Sequence, residues 1–342
     1  MKAKLLKTIS ILLSVFMLTL FTGMTNVQAA KGKTATSAKP TLKFDASGNF
    51  KIVQFTDMQD GPKTNPNTID LMNKILDKEK PSLVVLTGDN IDGKCKTADE
   101  VKKAITNIAQ LMETRKIPWA IVFGNHDDEH GVMSKEQMMN FYMSFSCNIS
   151  LIGNKTSGRI GNYNLLVQGS ASSAPALNLY LLDSGKYNLL GSYDSITSTQ
   201  ISWYKSTAAN LKKQYKKTIP ALMFFHIPLP EFRTAYKTGY IDGKRLEIEN
   251  SPLINTGLFS ALVNTGDVKG VFVGHDHINT YTAVLKGIRL GYAGSAGYAT
   301  YGNANMQRGA RVLKISETNP SAFTTRMIFA GDVSANKDPF AK

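Results

Sequence analysis

The sequence predicts a single α/β domain, a sandwich of two sheets flanked by helices. Two observations carry this. From Phe44 to His277, short apolar runs alternate with segments of helical periodicity, the pattern of strands joined by helical crossovers. Beyond residue 280 the helices give out, and the remaining apolar runs alternate as antiparallel strands do. No internal repeat and no linker interrupts 44–330, so one domain is expected over that range.

The elements follow in order. Lys51–Phe55 is a strand that runs out at Asp57, and Ile69, Met72, Ile75 and Leu76 then share one face of a helix. Ser82–Leu86 is a continuous apolar strand ending at Gly88-Asp89, followed by a helix marked by Val101, Ile105, Ile108 and Leu111. Trp119–Phe123 is a strand ending at Gly124-Asn125-His126-Asp127. The spacing Ser134 to Gln137 has capping-box form and opens a helix that runs to Phe145. Leu177–Leu182 is a strand ending at Asp183-Ser184-Gly185, and a helix spans Thr199–Tyr215. Ala221–Phe225 is a strand ending at His226. Residues 229–257 show no clear period, and a short helix covers Leu258–Asn264. Gly270–Val273 is a strand ending at Gly274-His275-Asp276-His277. Tyr281–Leu285, Arg311–Ile315 and Thr324–Phe329 close the domain as antiparallel strands.

Composition sets the outer bounds. With 342 residues, 42% hydrophobic and 19% charged, the chain cannot be wholly disordered, collagen-like or a disulfide-dense miniprotein. Residues 1–29 carry three lysines, a 13-residue apolar stretch and a small-residue stop, the order of a secretory signal peptide. That stretch is short of the ~20 residues needed to span a bilayer, so no stable membrane span is expected after cleavage. The protein is therefore expected to be secreted or extracytoplasmic. Residues 30–43 read as a linker and 331–342 as a C-terminal tail. Cys95 and Cys147 are compatible with one disulfide or with two buried thiols. The formal net charge of +14 suits anionic surroundings, from wall polymer to phosphorylated substrates. The densest lysine run, Lys205–Lys217, has no aromatic ladder and reads as a solvated helix face, so no specific nucleic-acid recognition is predicted.

The chemistry sits at the strand ends. Asp57, Asp89, Asn125, His126, His226, His275 and His277 each follow a strand, and α/β proteins bind ligands outside the carboxyl ends of their strands. Two carboxylates, an amide and several imidazoles form an O/N ligand set without thiolate, suited to Mn, Zn or Fe. The set is too large for one metal with an open position, and two metals sharing a carboxylate would use it.

In the order D-x-Q, GDN, GNHD, H-x-P and GHDH, these segments resemble a calcineurin-like metallophosphoesterase from Phe50 to Tyr281. Leu182–Gly185, His226–Glu231 and Gly274–His277 are most similar to the plant and fungal purple-acid-phosphatase-like branch. The resemblance implies a four-layered α/β/β/α sandwich of two mixed sheets with a dinuclear site at one end. It assigns Asp57 and His277 to the first metal, Asn125, His226 and His275 to the second, and Asp89 to the bridge. It makes His126 a substrate-facing acid, with Asp127 beside it to orient the imidazole. Two positions depart from the family pattern. Gln59 stands where the family has histidine and is expected to bind the first metal through its amide oxygen, more weakly than imidazole would; Asp92 stands where coloured purple acid phosphatases have tyrosine, so no purple colour is expected.

The expected activity is hydrolysis of phosphoester bonds by in-line attack of a metal-bridging hydroxide, on phosphomonoesters of a small molecule or polymer. One alternative is a phosphodiesterase or nuclease acting on wall polymer, lipid headgroup or nucleic acid. The other is a catalytically weak binding protein with an impaired first metal site, which Gln59 favours. Within 229–257, Tyr236, Lys244 and Arg245 are expected to contact substrate.

Overall fold

The computed structural model describes residues 38–336, apart from 130, 156, 157 and 190. The expected signal peptide and most of the expected linker lie outside the described residues. In chain order the elements begin β1 (Asn49–Phe55), α1 (Pro66–Glu79), β2 (Leu83–Thr87), α2 (Ala98–Glu113), β3 (Trp119–Val122) and α3 (Lys135–Ser144). They continue β4 (Tyr163–Gln168), β5 (Pro175–Leu181), α4 (Ser198–Tyr215), β6 (Ala221–Phe224), α5 (Glu231–Thr238) and β7 (Ile241–Asp242). The last are α6 (Leu258–Thr265), β8 (Val268–Val273), β9 (Thr282–Leu285), β10 (Ile288–Tyr292), β11 (Gly309–Ser316) and β12 (Thr324–Phe329).

Two mixed sheets face each other. One has the order β12-β11-β1-β2-β3 and the other β4-β5-β6-β8-β10-β9-β7. In the first, β1, β2 and β3 run parallel and β11 and β12 add an antiparallel edge; in the second, β5, β6, β8 and β10 run parallel and antiparallel strands close both edges. The layering is written in the side-chain alternation of the central strands. Leu179 and Leu181, Leu222 and Phe224, and Phe272 face the first sheet and join the core shared with α1, α2 and α3. Their neighbours Tyr180, Met223 and Val271 point the other way, onto α4, α5 and α6. Strands covered on both faces need apolar residues at every position, which is why they read as unbroken hydrophobic runs. The result is an α/β sandwich of two sheets flanked by helices.

Helix starts obey local rules. Ser134 and Gln137 form the expected capping box of α3, Thr197 and Gln200 form another on α4, and Asn65 caps α1 with Pro66 in its first turn. Several features differ from the sequence reading. Residues 229–257 contain α5 and the short β7. β10 pairs parallel with β8 after a tight turn through Lys286 and Gly287, both at positive φ, from an antiparallel β9. Leu42 and Phe44 are buried and bracket Gln168 through backbone hydrogen bonds, so the end of the expected linker packs on the core. Cys95 and Cys147 are two separate buried thiols. Lys205, Lys212, Lys213, Lys216 and Lys217 are solvent-exposed. No helix among the described residues is long and apolar enough to cross a membrane.

Candidate metal centre

Register brings the ligand side chains level. Phe55 pairs with Leu86, Thr87 with Val122, and Phe224 with Phe272, so β1, β2, β3, β6 and β8 end at one rim. Two buried bonds cross between the sheets there. Gln54 Nε2 donates to Val273 O at 3.1 Å, and His226 Nδ1 donates to Thr87 O at 2.9 Å. The backbone turns sharply as each strand ends: Asp57, Gln59, Asp89 and His275 all have left-handed φ, between 46° and 74°. Such φ values cost a non-glycine residue ~1–2 kcal/mol and cluster at functional sites. The motif glycines are steric necessities. A Cβ on Gly124 would sit 2.1 Å from Asp89 Oδ1, and one on Gly274 would sit 1.9 Å from Thr56 Oγ1.

Asp57, Asp89 and His226 meet with ligand atoms within 4.8 Å of one another, the one such cluster of His, Cys, Asp and Glu among the described residues. This triad can coordinate a metal ion. His226 Nε2 lies 3.1 Å from Asp89 Oδ2 and 3.9 Å from Asp57 Oδ1, and His277 Nε2 lies 3.3 Å from Asp57 Oδ1. Asp57 Oδ2 accepts from Thr56 Oγ1 and His275 N, and Asp89 Oδ1 accepts from His126 N at 2.8 Å. Four buried atoms are left without a hydrogen-bond partner: Asp57 Oδ1, Asn125 Oδ1, His226 Nε2 and His275 Nε2. Buried polar atoms rarely go unpartnered, and lone pairs of this O/N kind fit a divalent cation.

The electrostatics agree. Burial opposes a charged imidazolium at His226, but Asp89 and Asp57 outweigh it and raise the group to about 9. Burial raises Asp89, yet His226 and His126 pull its carboxyl well below the usual range. Burial and the charge of His226 drag His275 down to about 3, which keeps its imidazole neutral and ligand-competent. A cation among these groups would take over the role of the His226 proton.

Gln59 reaches the same place differently. Its Nε2 donates to Asp89 Oδ2 at 3.0 Å, so the amide satisfies the shared carboxylate with a proton. Asp92 accepts from Lys94 N within its own turn.

His126 stands at the cleft, partly exposed, with Nδ1 2.6 Å from Glu129 Oε2. Burial lowers His126, but Asp89 and Glu129 prevail and raise it. Asp127 does not orient this ring, contrary to expectation. Its carboxylate is buried and accepts from the backbone N–H of Asn90, Ile91 and Gly124, which ties the Asp89 loop to the Asn125 loop. Burial, then the charge of Asp89, push Asp127 to about 7.

The cleft is a cavity of 120 Å³ lined by Gln59, Asp89, His126, Tyr193, Asn250, His275, His277 and Tyr301. Tyr301 stacks on His277 at 4.0 Å, and Tyr193 meets His275 edge-on at 4.3 Å. Tyr187 OH accepts from Asn125 Nδ2. Tyr236, Lys244 and Arg245 are not in this lining. Arg245 forms a two-pronged bond to buried Glu249 and lies over the Tyr236 ring at 4.9 Å, while Lys244 bonds Asn305 O. The segment is represented in the cleft by Asn250, which Asp276 holds through backbone and side chain.

The fold and the triad together define a metal-binding α/β sandwich of the phosphoesterase kind. Residues 50–279 match the family described as calcineurin-like phosphoesterase, and the chain belongs to that family. It is 38% identical to an Arabidopsis thaliana protein named probable inactive purple acid phosphatase 14, over 80% of this chain and 77% of that one. It is 36% identical to probable inactive purple acid phosphatase 29 of the same plant, over 82% and 80%. Its fold is similar to that of a dimetal phosphatase from Danio rerio, with a TM-score of 0.54 at 14% identity, over 81% of this chain and 98% of that one.

Proposed function

We propose that this protein is an extracytoplasmic, metal-binding member of its family that takes phosphate esters and hydrolyses them weakly, because its first metal position is impaired. The observation that carries this is the bond from Gln59 Nε2 to Asp89 Oδ2. At a position where the family has imidazole, the side chain presents a donor to the carboxylate in place of a lone pair to a cation. The names of the two plant relatives, both probable inactive, support the same reading.

Asn125, His226 and His275, with Asp89, would hold one metal firmly. Their unpartnered Asn125 Oδ1, His226 Nε2 and His275 Nε2 are the basis. Asp57 and His277, with Gln59, would hold a second, Mn, Fe or Zn, less firmly. Bound metal supplies Lewis-acid stabilisation of charge on phosphoryl oxygens. The chain's own contribution is positional. Tyr193, Tyr301 and Asn250 flank the ester, and His126, held by Glu129, gives a proton to the departing oxygen.

A second reading, a fully active dinuclear phosphomonoesterase, is favoured by Asp57 Oδ1, also buried without a partner on the first-metal side. Hydrolysis of an aryl phosphate monoester and an aryl phosphate diester by the metal-loaded wild type and by Gln59→His separates the two. Slow turnover rising in the variant supports impairment. Fast wild-type turnover that falls in the variant supports the dinuclear hydrolase.

A further inference from the structure

A second cavity lies away from the metal cleft. It measures 460 Å³ and lies where the Asp242–Lys244 end of the second sheet meets β11 and β12 of the first. It shares no lining residue with the cleft. Its volume is in the range of small-molecule sites.

One wall is cationic. Arg311 is 1% exposed, and its three nitrogens donate to Tyr292 O, Thr325 Oγ1 and Thr280 O, all neutral acceptors. No carboxylate among the described residues lies within 4 Å of it. A guanidinium carries five N–H donors and does not give up its proton in proteins, so two N–H groups remain beyond these three bonds, and Asp242, which also lines the cavity, answers the charge only in part. Burial pulls Arg311 down to about 9 against a weaker upward pull from Asp242, as befits a cation with too little anionic compensation. Lys244 stands at the rim, bonded to a carbonyl, and adds a second positive charge. Arg326 is already committed to Glu79. Apolar lining comes from Met306, Phe329 and Met327, the last being the direct cross-strand neighbour of Arg311. Isolated buried charge is costly unless paired, while methionine walls adapt to varied apolar shapes.

We propose that this cavity binds a small amphiphilic organic anion, its acidic head on Arg311 and Lys244 and its apolar body against Met306, Met327 and Phe329. The site is separate from the metal centre and does not depend on whether that centre turns over. The ligand class is a carboxylate, sulfonate or phosphate on an aromatic or short aliphatic body.

The test is calorimetric titration of the metal-loaded protein with naphthalene-2-sulfonate, and with uncharged naphthalen-2-ylmethanol as the control. The expected result is one sulfonate per chain, bound at least about 10-fold more tightly than the alcohol. Lys244→Glu should weaken sulfonate binding by about 10-fold with unchanged melting temperature, and Met327→Trp should abolish it by filling the cavity. Absence of sulfonate binding to the wild type would overturn the proposal. So would equal affinity for the two probes, or sulfonate affinity untouched by both variants.

Discussion

The two halves of the metal centre are finished differently. On the side of Asn125, His226 and His275, Asn125 Oδ1 and His275 Nε2 are buried without a hydrogen-bond partner, and His226 Nε2 faces the Asp89 carboxylate at 3.1 Å. On the other side, Gln59 donates to Asp89, and His277 is pinned by Thr300 Oγ1 at Nδ1 and stacked on Tyr301. Asp57 Oδ1 on this second side is also buried without a partner, so Gln59 is what sets the halves apart. Under the proposed function, this one residue exchange weakens one metal position while the other ligands stay in place, each fixed by its own strand end.

That asymmetry is open to mutation. Asp89→Ala removes the group both halves share, and should lower metal affinity by more than the ~10–100-fold typical of losing an outer-shell partner, read by metal content after dialysis. His126→Ala, which touches neither half, should keep its metal and lower residual turnover by ~10²–10⁴-fold. A variant that also emptied the centre would place His126 among the ligands. Gln59→His should equalise the halves, raising metal stoichiometry and turnover together. Asp127→Asn should leave the contrast intact but cost about 1–3 kcal/mol in denaturant unfolding, since an amide cannot accept at both ends from Gly124, Asn90 and Ile91.

A further effect concerns pH. His226 is raised from 6.5 to about 9, so in metal-free protein its stabilising contribution is complete below pH 6.5 and lost as pH rises through about 9. Metal-loaded protein should show no such loss, because the cation replaces the proton. Thermal melts of both forms from pH 6 to pH 10 check this.

Much of the architecture was legible because the signals are local. Continuous apolar strands, helical faces and the Ser134–Gln137 capping box depend on neighbours in sequence, and the structure contains each. The strand-end Asp and His residues were legible for the same reason, since parallel strands bring their ends to one rim. The parts that escaped are set by tertiary contact. Tyr187 and Tyr193, Asn250, and Tyr301 arrive from three stretches of loop with no periodicity of their own. Asp127 looked like the partner of His126 because it is adjacent, yet its side chain turns inward onto three backbone N–H groups. Glu129, three residues along, reaches the ring instead. Arg245 and Tyr236 looked like substrate contacts because they lie in a polar segment without a clear period, but buried Glu249 holds Arg245, which lies over the Tyr236 ring. β10 was missed because Lys286-Gly287 is a weak turn signal beside Asn-Gly or Asp-Gly.

The proposed function requires one half of the centre to bind metal firmly and the other half weakly. Calorimetric titration of Mn²⁺ into metal-stripped wild type tests it most directly. One tight ion per chain is expected, with a second that enters only at much higher concentration and that Gln59→His draws toward the first. Two equivalent tight sites in the wild type, unchanged by Gln59→His, would contradict it.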